Sequence, residues 1–162
     1  LLNGKTFGQL EQSVFLEEIH SITEGVPPKI NLTNEKNNGV SILELINLDL
    51  LNSVHDVSSG GLIIALSEMC INSNYGALIE KPKSLTNLFE YFYGEDQSRY
   101  LIEINEKNKD KVSNILEKNS VYFEIIGKTQ KDTLEIDKVL STKVSELKEL
   151  RSFWFKNYFS EN

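Results

Sequence analysis

Apolar residues recur at helical spacing near the start of the chain. Leu10, Val14, Ile19 and Ile22 fall on one face, with Glu11, Glu17 and Glu18 on the other, which predicts a helix over Gln9–Thr23. Gly25 stops it, and Pro27-Pro28 make an extended connection. A second helix is expected over Asn34–Asn47, anchored by Val40, Leu43, Leu45 and Ile46, with Gly39 weakening its propensity. Leu50 and Leu51 lead into Val54 and Val57, the pattern of a short buried strand. Leu62, Ile63, Ala65, Leu66, Met69 and Cys70 then return to helical spacing, to about Asn72.

Asn72-Ser73-Asn74 is turn chemistry. Tyr75–Ile79 reads as a short strand and Pro82 as an interruption. Leu85, Leu88, Phe89 and Phe92 suggest a short helix ended by Gly94. Arg99–Ile104 is a strand with an apolar centre. Lys107–Asn119 is a helix with Val112, Ile115 and Leu116 inward, and Val121–Lys128 and Thr133–Ile136 are strands. Ser145 is placed to cap a last helix carrying Leu147, Leu150, Phe153, Trp154 and Tyr158, whose aromatic stripe reads as core or domain interface. Strands interleaved with helices imply an α/β (α+β) fold, a single sheet flanked by helices. The strand–helix–strand run from Arg99 to Lys128 is partly ferredoxin-like.

With 162 residues the chain can bury a substantial core. Its net charge is −7 and no Lys/Arg cluster stands out, which argues against nucleic acid and anionic membrane as partners. No apolar run is long enough to span a bilayer. The start shows no signal-peptide pattern, and a single cysteine that can form no internal disulfide makes an intracellular protein the expectation. The lone Cys70 reads as core, and with His20 and His55 it forms no metal-ligand spacing. The chain starts without Met, consistent with an excised piece of something longer.

Two polar stretches carry candidate chemistry. Ser53-Val54-His55-Asp56-Val57-Ser58-Ser59-Gly60-Gly61-Leu62 joins a strand to a helix. Backbone N–H groups left free at such a start favour anions. The glycines equally suit close packing, with Ser59 as an ordinary cap. Tyr93-Gly94-Glu95-Asp96-Gln97-Ser98-Arg99-Tyr100 feeds a central strand, where loops tend to carry function, although charged turns are common. Gly8, Gln9, Gln12 and Ser13 form a similar, weaker cluster at the first helix start.

Together the blocks resemble the C-terminal domain of phosphoribosylformylglycinamidine synthases: Gly8-x-x-x-Gln12-Ser13 with Phe15–Ile19, then His55–Leu62 with Ala65–Met69, then Phe92–Tyr100. The likeness covers nearly the whole chain, residues 1–162, taken as one synthetase-type domain of a larger multidomain enzyme. It implies an aminoimidazole-ribonucleotide-synthetase-like α/β domain.

The resemblance implies a cytoplasmic, ATP-dependent carbon–nitrogen ligase that amidates formylglycinamide ribonucleotide through an iminophosphate attacked by ammonia. ATP and magnesium are the expected cofactors. A glutaminase subunit, a small bridging subunit and other domains of the same chain are the expected partners. Residues expected at a nucleotide or substrate site are Gln12, Ser13, His55, Asp56, Ser58, Gly60, Gly61, Glu95, Asp96, Gln97 and Arg99. Asp56 matches a magnesium position in the family's first copy of this domain, whereas this chain resembles the second. Asp96 and Ser59 depart from the pattern, where Ser and Asp respectively are more usual. The main catalytic groups of the family are not expected here, so the site is either a nucleotide site or vestigial. The alternatives are a structural or auxiliary nucleotide-binding domain, or a domain of another enzyme of the same superfamily.

Overall fold

The computed structural model describes residues 1–80 and 87–160. The elements run β1 (Leu2–Asn3), α1 (Val14–His20), α2 (Leu32–Asn47), β2 (Leu51–Val57), α3 (Gly61–Ser73), β3 (Tyr75–Ile79) and α4 (Leu88–Tyr93). They continue with β4 (Arg99–Ile104), α5 (Lys109–Lys118), β5 (Phe123–Glu124), β6 (Gly127–Lys131), β7 (Thr133–Ile136), β8 (Leu140–Lys143) and α6 (Val144–Ser160). The α/β class and the helix-flanked arrangement hold. The strands, however, divide into two four-stranded sheets, ordered β2-β4-β1-β5 and β6-β3-β7-β8. The chain correspondingly forms two compact units, Leu1–Ala65 with Ser84–Ile125, and Leu66–Lys83 with Ile126–Asn162.

In the first unit β1 pairs antiparallel with both β4 and β5, so β4 and β5 run parallel with β1 between them. Joined by α5, they make a split β-α-β, the expected ferredoxin-like half. Ile42 and Leu45 of α2, Ile102 of β4 and Val112 and Leu116 of α5 close a core with Leu50 and Val121. Burying each such side chain contributes roughly 1.5–3 kcal/mol.

Sequence and structure differ over which face of α2 turns inward. Leu45 is buried, but Val40, Leu43 and Ile46 are exposed, and Asn38, Ser41 and Ile42 lie inside instead. Both faces of this helix carry apolar residues three apart. The choice is made by a polar contact: the Asn38 amide donates to the Ser98 backbone carbonyl at 2.7 Å and to its hydroxyl at 3.0 Å. The helix also starts at Leu32, because the Asn31 side chain caps it by accepting from Thr33 and Asn34.

Helix α1 is shorter than its periodicity suggests. Ser13 caps it, and Ser21, at φ +55°, ends it with the Ile22 N–H turning back to Leu16. The strand expected over Val121–Lys128 is split, with β5 paired to β1 and β6 paired to β3.

In the second unit β3 is central, antiparallel to β6 and parallel to β7. Helix α6 starts at Val144 rather than at a Ser145 cap, and the Glu146 carboxylate accepts the Lys143 N–H at 3.1 Å. Phe153, Trp154 and Tyr158 are each more than half exposed, so they are not core. Cys70 is buried, as expected. The expected break at Pro82 and the Leu85 position lie outside the described residues.

Candidate functional site

The turn between α4 and β4 is assembled from within. Asn87 caps α4, and Gly94 ends it with its N–H on the Glu90 carbonyl. Phe15 of α1 packs on Phe89 and Tyr93 of α4, with ring centroids 5.5 and 4.5 Å apart. These contacts bring the start of α1 next to residues 94–96.

Glu95 takes the central place. Its Oε1 accepts the Gly60 N–H at 2.8 Å and the Val14 N–H at 2.8 Å. Val14 is the first residue of α1, and Gly60 precedes the first residue of α3. One carboxylate oxygen therefore serves the starts of two helices. Asp96, only 4 % exposed, accepts the N–H groups of Phe7, Gly8 and Gln9 at 2.9, 3.0 and 3.3 Å.

Arg99 is 1 % exposed. Its guanidinium donates to the backbone carbonyls of Gly94 and Asp96 and to the Thr6 hydroxyl. Burial lowers the affinity of this guanidinium for its proton, and the neighbouring Asp96 carboxylate opposes that.

Gly60 and Gly61 both have positive φ, +78° and +71°. A Cβ on Gly61 would lie 2.7 Å from the Tyr93 carbonyl carbon and 2.8 Å from the Gly94 oxygen. The two glycines thus serve close packing of α3 against the end of α4.

Beside this scaffold lies an open cavity of about 370 Å³. Asp56, Ser58, Ser59, Glu95, Asp96, Gln97 and Arg99 line it, with Pro28, Glu35, Val57, Ser98 and Tyr100. Strand pairing sets Asp56 opposite Tyr100. Burial, then the Glu35 and Asp56 carboxylates, raise the Tyr100 phenol above its usual range. The Asp56 side chain is 66 % exposed. Gln97 is also exposed, and its amide has no partner among the described residues.

Six of the expected site residues line this one cavity: Asp56, Ser58, Glu95, Asp96, Gln97 and Arg99. Gly60 and Gly61 are not in the lining, although Gly60 donates to the lining residue Glu95. Gln12, Ser13 and His55 are not in the lining. The Gln12 amide donates to the Gly25 carbonyl at 2.9 Å, and the buried Ser13 hydroxyl caps α1. His55 sits 3.8 Å from the Asp56 carboxylate through Nδ1. The side chains of Glu95, Asp96 and Arg99 all hold the protein's own groups. The residues expected at the site did not include Pro28, Glu35, Val57, Ser59, Ser98 or Tyr100. Pro28 and Glu35 carried no signal, whereas the other four stand in the two polar stretches singled out in the sequence.

The lining does not suit every group the resemblance implied. Among the described residues no three His, Cys, Asp or Glu side chains come together as metal ligands, so Asp56 has no set of partners to hold a metal ion. Among the described residues the only cation in the lining is Arg99, which is buried and donates to Gly94, Asp96 and Thr6. Triphosphate would meet four carboxylates here, whereas hydroxyl and amide groups would meet matching partners.

The model of the family "AIR synthase related protein, C-terminal domain" matches residues 8–138. The chain belongs to this family. It is 46 % identical over 158 residues to phosphoribosylformylglycinamidine synthase subunit PurL of Pelagibacter ubique (strain HTCC1062). That match takes in 98 % of this chain and 22 % of the relative. The chain thus spans about a fifth of the length of the curated relatives it matches. T. maritima PurL complexed with ATP superposes with a TM-score of 0.67 at 15 % identity, over 91 % of this chain and 25 % of that one. T. maritima PurL complexed with FGAR does so with a TM-score of 0.62 at 19 % identity, over 70 % and 21 %. These two similarities concern the fold. Among the described residues no helix is long and apolar enough to cross a membrane.

Proposed function

We propose that this AIR-synthase-related domain works as the C-terminal part of a cytoplasmic phosphoribosylformylglycinamidine synthase. The observation that carries this reading is the 46 % identity to a PurL subunit across nearly the whole chain. In the longer enzyme, ATP would phosphorylate the formyl-amide oxygen of formylglycinamide ribonucleotide and leave ADP. Ammonia from a glutaminase subunit would then add to the same carbon of the iminophosphate, and the oxygen would depart with inorganic phosphate. A small bridging subunit and the remaining domains of the longer chain complete the proposed assembly.

The contribution of this chain is binding and orientation. Asp56, Gln97 and the Ser58–Ser59 hydroxyls form a polar wall that can hold the hydroxyl- and amide-bearing part of a nucleotide or substrate. No step is assigned to magnesium through these residues. The chain spans about a fifth of its curated relatives' length, so alone it is expected to be inactive.

The test is a chimaera in which this chain replaces the matching segment of the Pelagibacter ubique subunit. ATP-dependent amidation by the chimaera, and none by the separate chain, is the expected result. A folded but inactive chimaera would count against the assignment. A second reading, a domain that only packs against its neighbours, draws on the internal use of Glu95, Asp96 and Arg99. Calorimetry with ADP on the chimaera separates the two. If Asp56→Ala and Gln97→Ala leave stoichiometry and affinity unchanged, the packing role stands.

A further inference from the structure

The aromatic stripe of the last helix belongs neither to the core nor to the cavity. Helix α6 is seated at its start: Val144 is buried, Leu147 is half-buried, and Lys148 and Arg151 donate to Asn74 and Asn72 at the end of α3. Residues 151–160 are all exposed. Leu147, Leu150, Trp154 and Tyr158 follow one another three or four residues apart, with Phe155 and Phe159 alongside, so they share one side of the helix. The rings are already ordered there. Trp154 stacks on Tyr158 with centroids 5.5 Å apart, and Phe155 meets Phe159 at 4.6 Å.

This face is large for a free surface. Leu150, Trp154, Phe155, Tyr158 and Phe159 are each more than half exposed. Together they show on the order of 600 Å² of mostly apolar surface, near the roughly 800 Å² that each partner gives to a stable interface. The polar side of α6 carries Glu146 and Glu149 beside Lys156, and the chain has a net charge of −7, unlike the cationic helices that lie on anionic membranes.

Two boundaries point to the occupant. The family model stops at residue 138, before α6 begins at Val144. The match to the Pelagibacter ubique PurL subunit takes in 158 of the 162 residues, and so takes in α6 to Tyr158 or beyond. The helix therefore goes with the longer subunit rather than with the shared domain pattern, and this chain matches only 22 % of that subunit.

We propose that the apolar face of α6, from Leu150 to Phe159, is a docking surface covered by another part of the same longer subunit. The inference rests on the reading of this chain as a piece of a PurL-type subunit.

The experiment is hydroxyl-radical labelling of Trp154, the only tryptophan of the chain, followed by mass spectrometry in the separate chain and in the chimaera with the Pelagibacter ubique subunit. The labelling rate should fall about tenfold in the chimaera, because the centre of an interface excludes water. Amidation is measured on the same sample. A chimaera that amidates while Trp154 is labelled as fast as in the separate chain would overturn the inference and leave the ligase reading standing. A folded chimaera that protects Trp154 without amidating would do the reverse. Protection in the separate chain that grows with its concentration, or that appears with phosphatidylglycerol vesicles, would give the face to a second copy or to a membrane and so overturn the inference. If the chimaera does not fold, a second one takes residues 144–160 from the relative as well. Folding restored by that exchange supports a face fitted to its own subunit, and no restoration counts against it.

Discussion

The Asp96 carboxylate accepts the Gly8 backbone N–H at 3.0 Å across 88 residues of sequence. Phe7 and Gln9 donate to the same side chain. A carboxylate that looks like ligand chemistry in the sequence is therefore the anchor of the loop before α1. Asp96→Ala leaves three N–H groups without that acceptor. A loss of about 3 kcal/mol is expected from unpaired, partly buried donors. Urea denaturation checks this, with the midpoint falling at unchanged slope.

Arg99 should be intolerant even of lysine. Its fork serves the Gly94 and Asp96 carbonyls and the Thr6 hydroxyl together, and an ammonium cannot reproduce that planar set. Arg99→Lys is expected to cost about 2 kcal/mol and Arg99→Ala about 4 kcal/mol, the range for breaking a buried charged network. Thermal unfolding of the two variants beside the wild type is the measurement.

Gly61→Ala and Gly39→Ala should act in opposite directions. Gly61 has φ +71°, and a Cβ there would meet the backbone of Phe92, Tyr93 and Gly94 at 2.7–2.8 Å. Gly39 lies inside α2 with only the Tyr100 hydroxyl near, at 3.8 Å. Gly39→Ala should stabilise by about 0.5–1 kcal/mol, and Gly61→Ala should destabilise by about 2 kcal/mol or more. Both variants belong in one denaturation series.

Glu124 gives a pH signature. Burial, more than any other influence, raises its carboxyl above 4.5, while hydrogen bonds from Tyr91 and Tyr122 oppose the rise. A carboxyl with a raised folded pKa binds its proton more tightly in the folded protein. Its stabilising share is complete below pH 4.5 and is lost as pH rises through the raised folded value. Glu124→Gln removes this dependence. The variant should therefore gain on the wild type between pH 4 and pH 7, read from unfolding free energies at the two values. An unchanged difference would mean that the side chain titrates alike in both states.

Helical periodicity made α3 and α5 legible, because each has one apolar side, and a continuous apolar centre marked β4. Strand β2 was placed correctly but is not the buried strand expected, since Val54 is exposed and Ser53 and His55 share the inward face with Leu51 and Val57. The inward face of α2 was not legible, since Ile42 and Leu45 compete with Val40, Leu43 and Ile46. A buried Asn38–Ser98 contact settles the choice. The two-residue strands β1 and β5 are too short for any period, and their pairing depends on β4. At the cavity, residue types located the place. They could not reveal that Glu95, Asp96 and Arg99 hold backbone from distant segments, because those partnerships exist only once residues 7–14 and 94–99 meet.

As proposed above, this domain lends a ligand-binding wall to a synthetase of the PurL type. Gln97 and Asp56 are the residues to change, because both are exposed in the cavity and Gln97 makes no hydrogen bond among the described residues that its loss would break. In the chimaera with the Pelagibacter ubique subunit, kcat/KM for ATP-dependent amidation should fall about tenfold in Gln97→Ala and in Asp56→Ala, the loss of about 1.4 kcal/mol of binding. Tm should not change. Full activity in both folded variants would contradict the account.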